Sequence, residues 1–308
     1  MSKNNRPIIL RILAFALCLF IVIAAPIIIA SKYSNKSQSA EDAVSMLTIW
    51  QIDSFEGGKG SRASYLRNIG NELYDKSDCY VNVISLTADA ARLNLSSGNI
   101  PDLISYGAGT YGLEGYIIGD TPYYTWAHGG YCFLTIDENA DFTDITNQNT
   151  VINIGVDNIY GAAALLCGIG GAPTDKPTGA YVSLINGEFK YLLGTQRDIF
   201  RLTTRGIAFK IKPIQEYNDL YQNISITTTN SLQQIYAKKF IDALLSHYAD
   251  LNKLGLMAES KIYDDVMSKM ELIDYSCKLT TPISKNTREQ IFEAISKSDI
   301  ILLKNLIK

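Results

Sequence analysis

Two hydrophobic periods alternate along most of the chain. Runs in which apolar residues are continuous, or fall at every second position, are followed by segments in which they fall three or four positions apart. The first run, "LTIWQI" (47–52), predicts a strand, and the segment 61–75 predicts a helix. One face of that helix carries the apolar side chains Tyr65, Leu66, Ile69 and Leu73.

The same alternation continues toward the C-terminus. "YVNVISL" (80–86) predicts a second strand, "TADAARLNLSSG" (87–98) a short helix that ends at Gly98, and "PDLISYGAG" (101–109) a third strand. Strands that are separated by single helices form βαβ units, in which the strands are parallel and helices cover both faces of the sheet. The pattern therefore predicts the α/β class.

A second series of elements follows residue 130. Strands are predicted at 131–137, 151–156, 180–187 and 207–214, and helices at 158–171, 190–206, 231–255, 287–298 and 299–308. The longest helix places apolar residues on one face and is predicted to end at Gly255. The pattern therefore predicts two successive α/β units.

The N-terminus has a different pattern. Ile12 to Ala30 is an uncharged run of 19 residues, and Lys3, Arg6 and Arg11 precede it. This pattern predicts either a retained membrane anchor or a cleaved secretory signal in residues 1–30, followed by a polar tether at 31–45. The basic residues keep the N-terminus inside, so the remainder faces outside the cell membrane if anchored or is secreted if cleaved.

Charge and cysteine content narrow the function classes. Beyond residue 30, 25 basic residues face 31 acidic ones, and no basic cluster with interleaved aromatics occurs, which argues against a nucleic-acid partner. Cys79, Cys132, Cys167 and Cys277 show no CxxC spacing, so we expect no metal site and no cofactor. Two disulfides and four free thiols remain equally open at this stage.

The stretch "DSFEGGKGSR" (53–62) lies between the first strand and the first helix. It matches neither the P-loop nor the dinucleotide-binding pattern. Its glycines could let backbone N–H groups approach a ligand, while Glu56 could accept and Arg62 could donate hydrogen bonds. The alternative is a turn with solvated charges.

Seven aromatic residues fall within 26 positions and are interleaved with glycines: Tyr106, Tyr111, Tyr116, Tyr123, Tyr124, Trp126 and Tyr131. Aromatic rings suit the C–H face and the hydroxyls of a sugar, but they are equally suited to a core. No GxSxG, HExxH or cysteine–histidine motif indicates an enzyme. Asp53, Glu56 and Asp102 could act as paired carboxylates on a glycan, although their spacing does not identify them as a pair.

Several stretches resemble the family 1 extracellular solute-binding proteins of bacterial ABC transporters, the carbohydrate-binding type. They are "LTIWQIDSFEGGKGSRASYL", "GNIPDLISYGAG", "YYTWAHGGYCFLTID", "YLLGTQRDIFRL" and "ISITTTNSLQQIYAKKFIDALLSHYADL". The resemblance covers residues 46 to 255 in order. It implies a two-lobed, periplasmic-binding-protein-like α/β fold with crossing hinge strands. Lobe one would be 46–126 plus 214–256, and lobe two 130–210 plus 257–308.

The resemblance also implies a function. The protein would be a monomeric, non-enzymatic receptor that captures a sugar or oligosaccharide between its lobes and delivers it to ABC permease subunits in the membrane. The implied ligand-binding residues are Asp53, Glu56, Arg62, Tyr106, Tyr111, Trp126, Tyr160 and Arg197. An anchored glycan-acting enzyme and a degenerate receptor that acts as a sensor are the alternatives. The identity of the sugar does not follow from the sequence.

Overall fold

The computed structural model describes residues 45–53, 61–74, 78–153, 161–247, 251, 254, 256–258 and 274–307. The described helices and strands all fall within the unit Ser45–Lys308. The predicted signal or anchor (1–30) lies outside the described residues. Within the described ranges, no helix combines the length and the apolar composition that crossing a bilayer requires.

One sheet is built around the N-terminal strands. Its members are β1 (Ser45–Asp53), β2 (Cys79–Thr87), β3 (Leu103–Gly107), β4 (Tyr124–His128) and β10 (Tyr221–Ile226). Their order across the described sheet, called sheet one below, is β2-β1-β3-β10-β4, and only β10 runs antiparallel to its neighbours. Helices α1 (Arg62–Leu73) and α2 (Ala88–Ser96) connect the parallel strands, and α6 (Ser231–Ser246) follows β10.

The other sheet, sheet two, follows the same plan. Its members are β5 (Tyr131–Thr135), β6 (Thr150–Asn153), β7 (Thr174–Asp175), β8 (Tyr191–Thr195) and β9 (Lys210–Pro213). Their order in the described residues is β7-β6-β8-β5-β9, with β5 antiparallel to both neighbours. Helices α3 (Gly161–Leu166), α4 (Pro177–Ile185) and α5 (Gln196–Thr204) connect the strands. The C-terminal helices are α7 (Lys285–Ser296) and α8 (Ile300–Leu306).

The antiparallel strand of each sheet is the strand that arrives from the other sheet. The chain leaves β4 in sheet one and enters β5 in sheet two, and it leaves β9 in sheet two and enters β10 in sheet one. Each sheet therefore contains three parallel strands, one incoming antiparallel strand and one outgoing edge strand among the described residues. The two-lobed α/β fold predicted from the sequence is confirmed.

Each sheet is buried on both faces, as helices on both sides require. In sheet one, Leu47 and Ile49 pack with Phe240 of α6 and Leu66 of α1, while on the opposite face Trp50 and Ile104 pack with Leu95 of α2. In sheet two, Leu192 faces α4 and α5, whereas its neighbour Leu193 faces α3, α7 and α8. Adjacent strand residues point to opposite faces, so successive residues of a strand belong alternately to the core on one face of the sheet and to the core on the other.

Several element predictions were wrong or incomplete. The segment 180–187, predicted as a strand, lies mostly in helix α4, because Pro177 opens a helix in which Ala180, Tyr181 and Leu184 are the buried residues. A short apolar run does not distinguish a buried helix from a strand. The helix predicted at 190–206 begins only at Gln196, because residues 191–195 form strand β8. Strand β10 was not predicted, and helix α6 ends at Ser246, well before Gly255.

The sequence left open whether the four cysteines form disulfides, and the described residues show that they do not. Cys79, Cys132, Cys167 and Cys277 are free thiols, and all but Cys167 are buried. Burial raises the pKa of the Cys79 thiol, and burial together with the Glu216 carboxylate raises that of Cys167. Both thiols are therefore protonated and unreactive at neutral pH.

Candidate functional site

The two sheets meet at the edges where their parallel strands end. Sheet one reaches this carboxyl edge at Gly107 of β3, and Gln222 at the start of β10 pairs with Gly107. Sheet two reaches its carboxyl edge at Thr195 of β8, and Tyr131 at the start of β5 pairs with Thr195. Because the chain crosses between these edges at 129–130 and at 214–220, the carboxyl edges of the two sheets face one junction. Ligands of open α/β sheets bind outside the carboxyl ends of strands, so this junction is the candidate site.

The first crossing is held by backbone and side-chain hydrogen bonds. The N–H of Gly130 donates to Oε1 of Gln196 at 2.9 Å, and the N–H of Gln196 donates to the carbonyl of Gly130 at 3.1 Å. Gln196 opens α5 and is fully buried. A Cβ added to Gly129 would lie 2.4 Å from Nε2 of Gln196, so any side chain at this position would displace the amide.

The second crossing lies directly against the first. Asn218 donates through Nδ2 to the carbonyl of Gly129 at 3.0 Å, and the N–H of Gly129 donates to the carbonyl of Leu220 at 2.6 Å. Tyr131 donates its hydroxyl proton to Oδ1 of Asp219 at 2.8 Å. These bonds join the two crossings into one polar unit.

Further chain segments reach the junction. His128 and Met257 exchange backbone hydrogen bonds of 2.7 and 2.8 Å. The segment 274–283 pairs with the second crossing through Asn218 and then reaches the loop after β3, where the N–H of Gly109 donates to the carbonyl of Thr281 at 3.0 Å. This segment leads into α7 and α8, which pack on sheet two, so it links the loop after β3 to the other lobe.

Three of the predicted site residues, Asp53, Arg62 and Arg197, lie at the carboxyl edges of the two sheets. Asp53 ends β1, and Arg62 is the first residue of α1, where its side chain is 6% exposed. Glu56 and Tyr160 lie outside the described residues. Arg197 lies in the first turn of α5 at the carboxyl edge of sheet two and is half-buried.

Two of the predicted aromatic contacts are core residues in this structure. Tyr106 is fully buried between sheet one and α2, and its hydroxyl lies 2.9 Å from Oγ of Ser225. Burial raises the pKa of the Tyr106 hydroxyl well above its ordinary value, so it stays neutral. Trp126 is 3% exposed and stacks on Tyr65, with ring centroids 5.7 Å apart. Its Nε1–H donates to Ser105 at 3.2 Å.

Tyr111 has a different environment. It is half-buried in the loop after β3, and its ring lies between two guanidinium groups. Arg92 of α2 is 4.0 Å from the ring centroid and Arg288 of α7 is 5.4 Å from it. Because Arg92 belongs to the helices on sheet one and Arg288 to those on sheet two, Tyr111 is a contact between the lobes.

The carboxyl edge of sheet two is built on a buried carboxylate. Oδ2 of Asp198 accepts hydrogen bonds from Nδ2 of Asn153 at 2.7 Å and from the N–H of Thr195 at 3.1 Å, and Arg201 donates to Oδ1 at 3.2 Å. Burial raises the pKa of Asp198, and the Arg201 charge and these hydrogen bonds oppose the rise. The network fixes the ends of β6 and β8 beside Arg197.

The carboxylates considered for catalysis are separated. Asp102 precedes β3 and accepts the N–H of Thr48 through Oδ2 at 2.8 Å, which places it at the amino edge of sheet one. Asp53 lies at the carboxyl end of β1. From the register of Ile49 with Leu103, the two backbone positions are about five strand residues apart, roughly 16 Å. That separation excludes a catalytic pair formed by Asp53 and Asp102.

Sequence reasoning missed the polar residues that organise the junction. Gln196, Asn218 and Asp219 are buried, yet none was among the predicted site residues. The available signal was the polar pair Asn218–Asp219 directly before the apolar run of β10, and a glutamine directly after a buried strand. Polar residues at such places are buried only where they have partners.

No protein-family model matches the chain, and no characterised protein matches it in sequence. Solved structures do match. The substrate-binding domain assigned to a molybdenum ABC transporter from Clostridium difficile has a TM-score of 0.50 and 12% identity, covering 70% of this chain and 99% of that one. The Trichodesmium protein IdiA (FutA), in complex with iron and citrate, has a TM-score of 0.54 and 10% identity, covering 85% and 99%.

The GacH receptor of Streptomyces glaucescens GLA.O, solved unliganded and with acarbose, has a TM-score of 0.53 and 13% identity, covering 86% and 96%. These identities are too low to transfer a ligand. The likeness establishes the fold, which is the two-lobed fold of these binding proteins.

Proposed function

We propose that this protein is the extracellular solute-binding component of an ABC importer, and that it holds its ligand between the carboxyl edges of the two sheets. The observation that carries the proposal is the pair of chain crossings, which brings both carboxyl edges to one junction. The proposed lobes are 46–126 plus 214–256 and 130–210 plus 257–308. The neighbouring structures, described as a substrate-binding domain and a receptor, share the fold and support the same role.

We further propose a sugar or oligosaccharide as the ligand. Support comes from the sequence resemblance to carbohydrate-binding receptors and from Tyr111, a half-buried aromatic residue in the loop after β3 at the carboxyl edge of sheet one. Tyr106 and Trp126 are buried in this structure, so the proposal does not rest on their rings. Metal–citrate and oxyanion ligands are the competing classes, since the neighbouring proteins carry iron with citrate and an assignment to molybdenum.

A thermal-shift screen of the purified full-length protein tests the proposal. A ligand present at a hundredfold excess over its Kd stabilises the folded state by about 2.7 kcal/mol. For a protein of this size that raises the melting temperature by roughly 5–10 °C. The panel contains mono- and oligosaccharides, ferric citrate and molybdate. A shift with a sugar supports the finer proposal, a shift only with another class corrects it, and no shift with any class contradicts it.

Two arginines on the same helix give a matched control. Arg197 lies at the end of α5 that faces the junction, whereas Arg205 follows the opposite end and lies 4.9 Å from the Tyr181 ring centroid. Arg197→Ala should abolish the ligand-dependent shift, and Arg205→Ala should preserve it. Equal loss in both variants would remove Arg197 from the proposed site.

Binding without chemistry is also part of the proposal. The bound sugar should be recovered unchanged after long incubation. Steady turnover of a glycan that is abolished by Glu56→Gln or Asp53→Asn would favour the glycan-acting enzyme instead.

The proposed location is the outer face of the cell membrane, with the apolar run as the anchor. The protein should remain in the membrane fraction, and Cys18→Ser should not release it. A secreted form that begins at Ser31 would show that the run is a cleaved signal.

A further inference from the structure

A buried carboxylate connects the two crossings. Asp219 belongs to the second crossing and is 2% exposed. Its Oδ1 accepts the hydroxyl proton of Tyr131, which follows the first crossing directly, at 2.8 Å. Any rotation of one lobe against the other turns about these crossings, so this hydrogen bond lies at the axis of the movement that the proposed function requires.

The groups that face Asp219 come from three elements, and most of them are neutral. Tyr131 comes from β5 and Tyr217 from the same crossing, and both phenols act on the carboxylate. Arg288 of α7 supplies a positive charge whose effect on Asp219 is the smallest of those acting on it. Tyr221 and Cys277 face the Tyr217 phenol. A negative charge on Asp219 is therefore buried with hydroxyl donors and a weakly acting cation.

Burial changes the proton affinity of this carboxylate. It raises the pKa of Asp219 from 3.8 to about 6, although the hydrogen bond from Tyr131 opposes the rise. If rotation of the lobes admits water to the junction, the desolvation is relieved and the pKa falls toward its ordinary value.

We propose that Asp219 makes the lobe junction sensitive to pH: the protonated carboxyl favours the packed arrangement of the crossings, and the ionised carboxylate favours arrangements in which water reaches it. The proposal depends on the proposed function only in linking this change to ligand access. The pH sensitivity itself does not require the proposed function.

Linkage between protonation and conformation gives the direction of the pH effect on the packed arrangement. The packed arrangement binds the proton more tightly than a hydrated one does, so the stabilisation is fully present below pH 3.8 and is lost as the pH rises through about 6. A difference of about two pKa units changes the equilibrium between the arrangements by roughly a hundredfold in total, of which about tenfold falls between pH 5 and pH 8. Ligand-free protein should therefore be more compact at pH 5 than at pH 8.

Full-length protein without ligand provides the test. Melting temperature and solution-scattering radius are measured between pH 5 and pH 8 for the wild type, Asp219→Asn and the exposed control Asp120→Asn. The asparagine is neutral at all pH values, so Asp219→Asn should lose the part of the pH profile that the wild type and Asp120→Asn share. His128 and His247 are present in all three proteins, and their contributions cancel in the comparison.

Tyr131→Phe supplies a second variant, which also serves if Asp219→Asn fails to fold. Removing the hydroxyl donor raises the proton affinity of Asp219 further, so the transition should move to higher pH. Parallel profiles for the wild type and Asp219→Asn, or an unmoved transition in Tyr131→Phe, would overturn the proposal. If no ligand class in the screen shifts the melting temperature while these profiles differ as expected, the proposed function is wrong and the pH sensitivity stands.

Discussion

The two sheets have one strand order but differ in what stabilises the edges at which they meet. In sheet one, β4 contributes Trp126, which is buried against Tyr65. In sheet two, the ends of β6 and β8 are joined by Asp198 through Asn153 and Thr195. At these positions sheet one is held mainly by apolar area, with one hydrogen bond from Trp126 to Ser105, and sheet two is held by hydrogen bonds to the buried carboxylate of Asp198.

Because of this difference, we expect the two edges to differ in how precisely they position their side chains. Apolar packing stabilises in proportion to the area buried and fixes direction weakly, whereas a buried carboxylate needs all its donors in place. The edge of sheet two is therefore the more precisely positioned half of the junction, and Arg197 projects from it. Substitutions at the two edges should differ in size and in character.

The largest effect is expected at the apolar edge. Trp126→Ala removes a buried indole, so it should lower the free energy of unfolding by about 3–5 kcal/mol. Chemical denaturation of the purified protein measures this. Trp126→Phe keeps most of the ring packing and should lose much less. A small loss in Trp126→Ala, combined with abolished ligand binding, would return Trp126 to the list of ligand contacts.

Trp126 also shows what sequence reasoning could and could not supply. The spacing of hydrophobic residues predicts the strands β1, β2 and β3 and the helices between them, because each element must place apolar side chains where it is buried. Whether an aromatic residue near a strand end faces ligand or core depends on what packs opposite. For Trp126 that partner is Tyr65, which is distant in sequence.

The residues of the two crossings could not be identified from the sequence for the same reason. The fit of Gly129 against Gln196 depends on a residue 67 positions later in the chain. Likewise, Asp219 is a site residue only because Tyr131 reaches it across the junction. Such contacts are long-range and leave no local pattern in the sequence.

At the polar edge, Asp198→Asn should cost about 1–3 kcal/mol. The amide retains one acceptor oxygen but turns an NH₂ group toward donors that need an acceptor, so one of the Asn153, Thr195 or Arg201 bonds is lost. Denaturation measures the loss of stability, and amide hydrogen exchange at Thr195 locates it. Unchanged protection of Thr195 would show that the network does not hold this edge.

A smaller effect is expected where the edges are joined. Gly129→Ala places a methyl group 2.4 Å from the Gln196 amide, which must move and weaken its bond to Gly130, at a cost of about 1–2 kcal/mol. Gly115→Ala is the matched control, because no heavy atom lies within 4 Å of its added Cβ. Melting temperatures of the two variants should separate clearly. Equal values would mean that the first crossing is loosely packed.

The smallest effect on stability belongs to Tyr111, where the lobes also touch. Tyr111→Leu removes the ring between Arg92 and Arg288, and exposed cation–π contacts contribute about 0.5–1 kcal/mol each. The free energy of unfolding should therefore fall only slightly, while the solution-scattering radius of the ligand-free protein should increase, since the loop after β3 loses a contact with α7. Tyr111→Phe keeps the ring and should leave the radius unchanged. An unchanged radius in Tyr111→Leu would show that the segment 274–283 and the two crossings alone set the arrangement of the lobes.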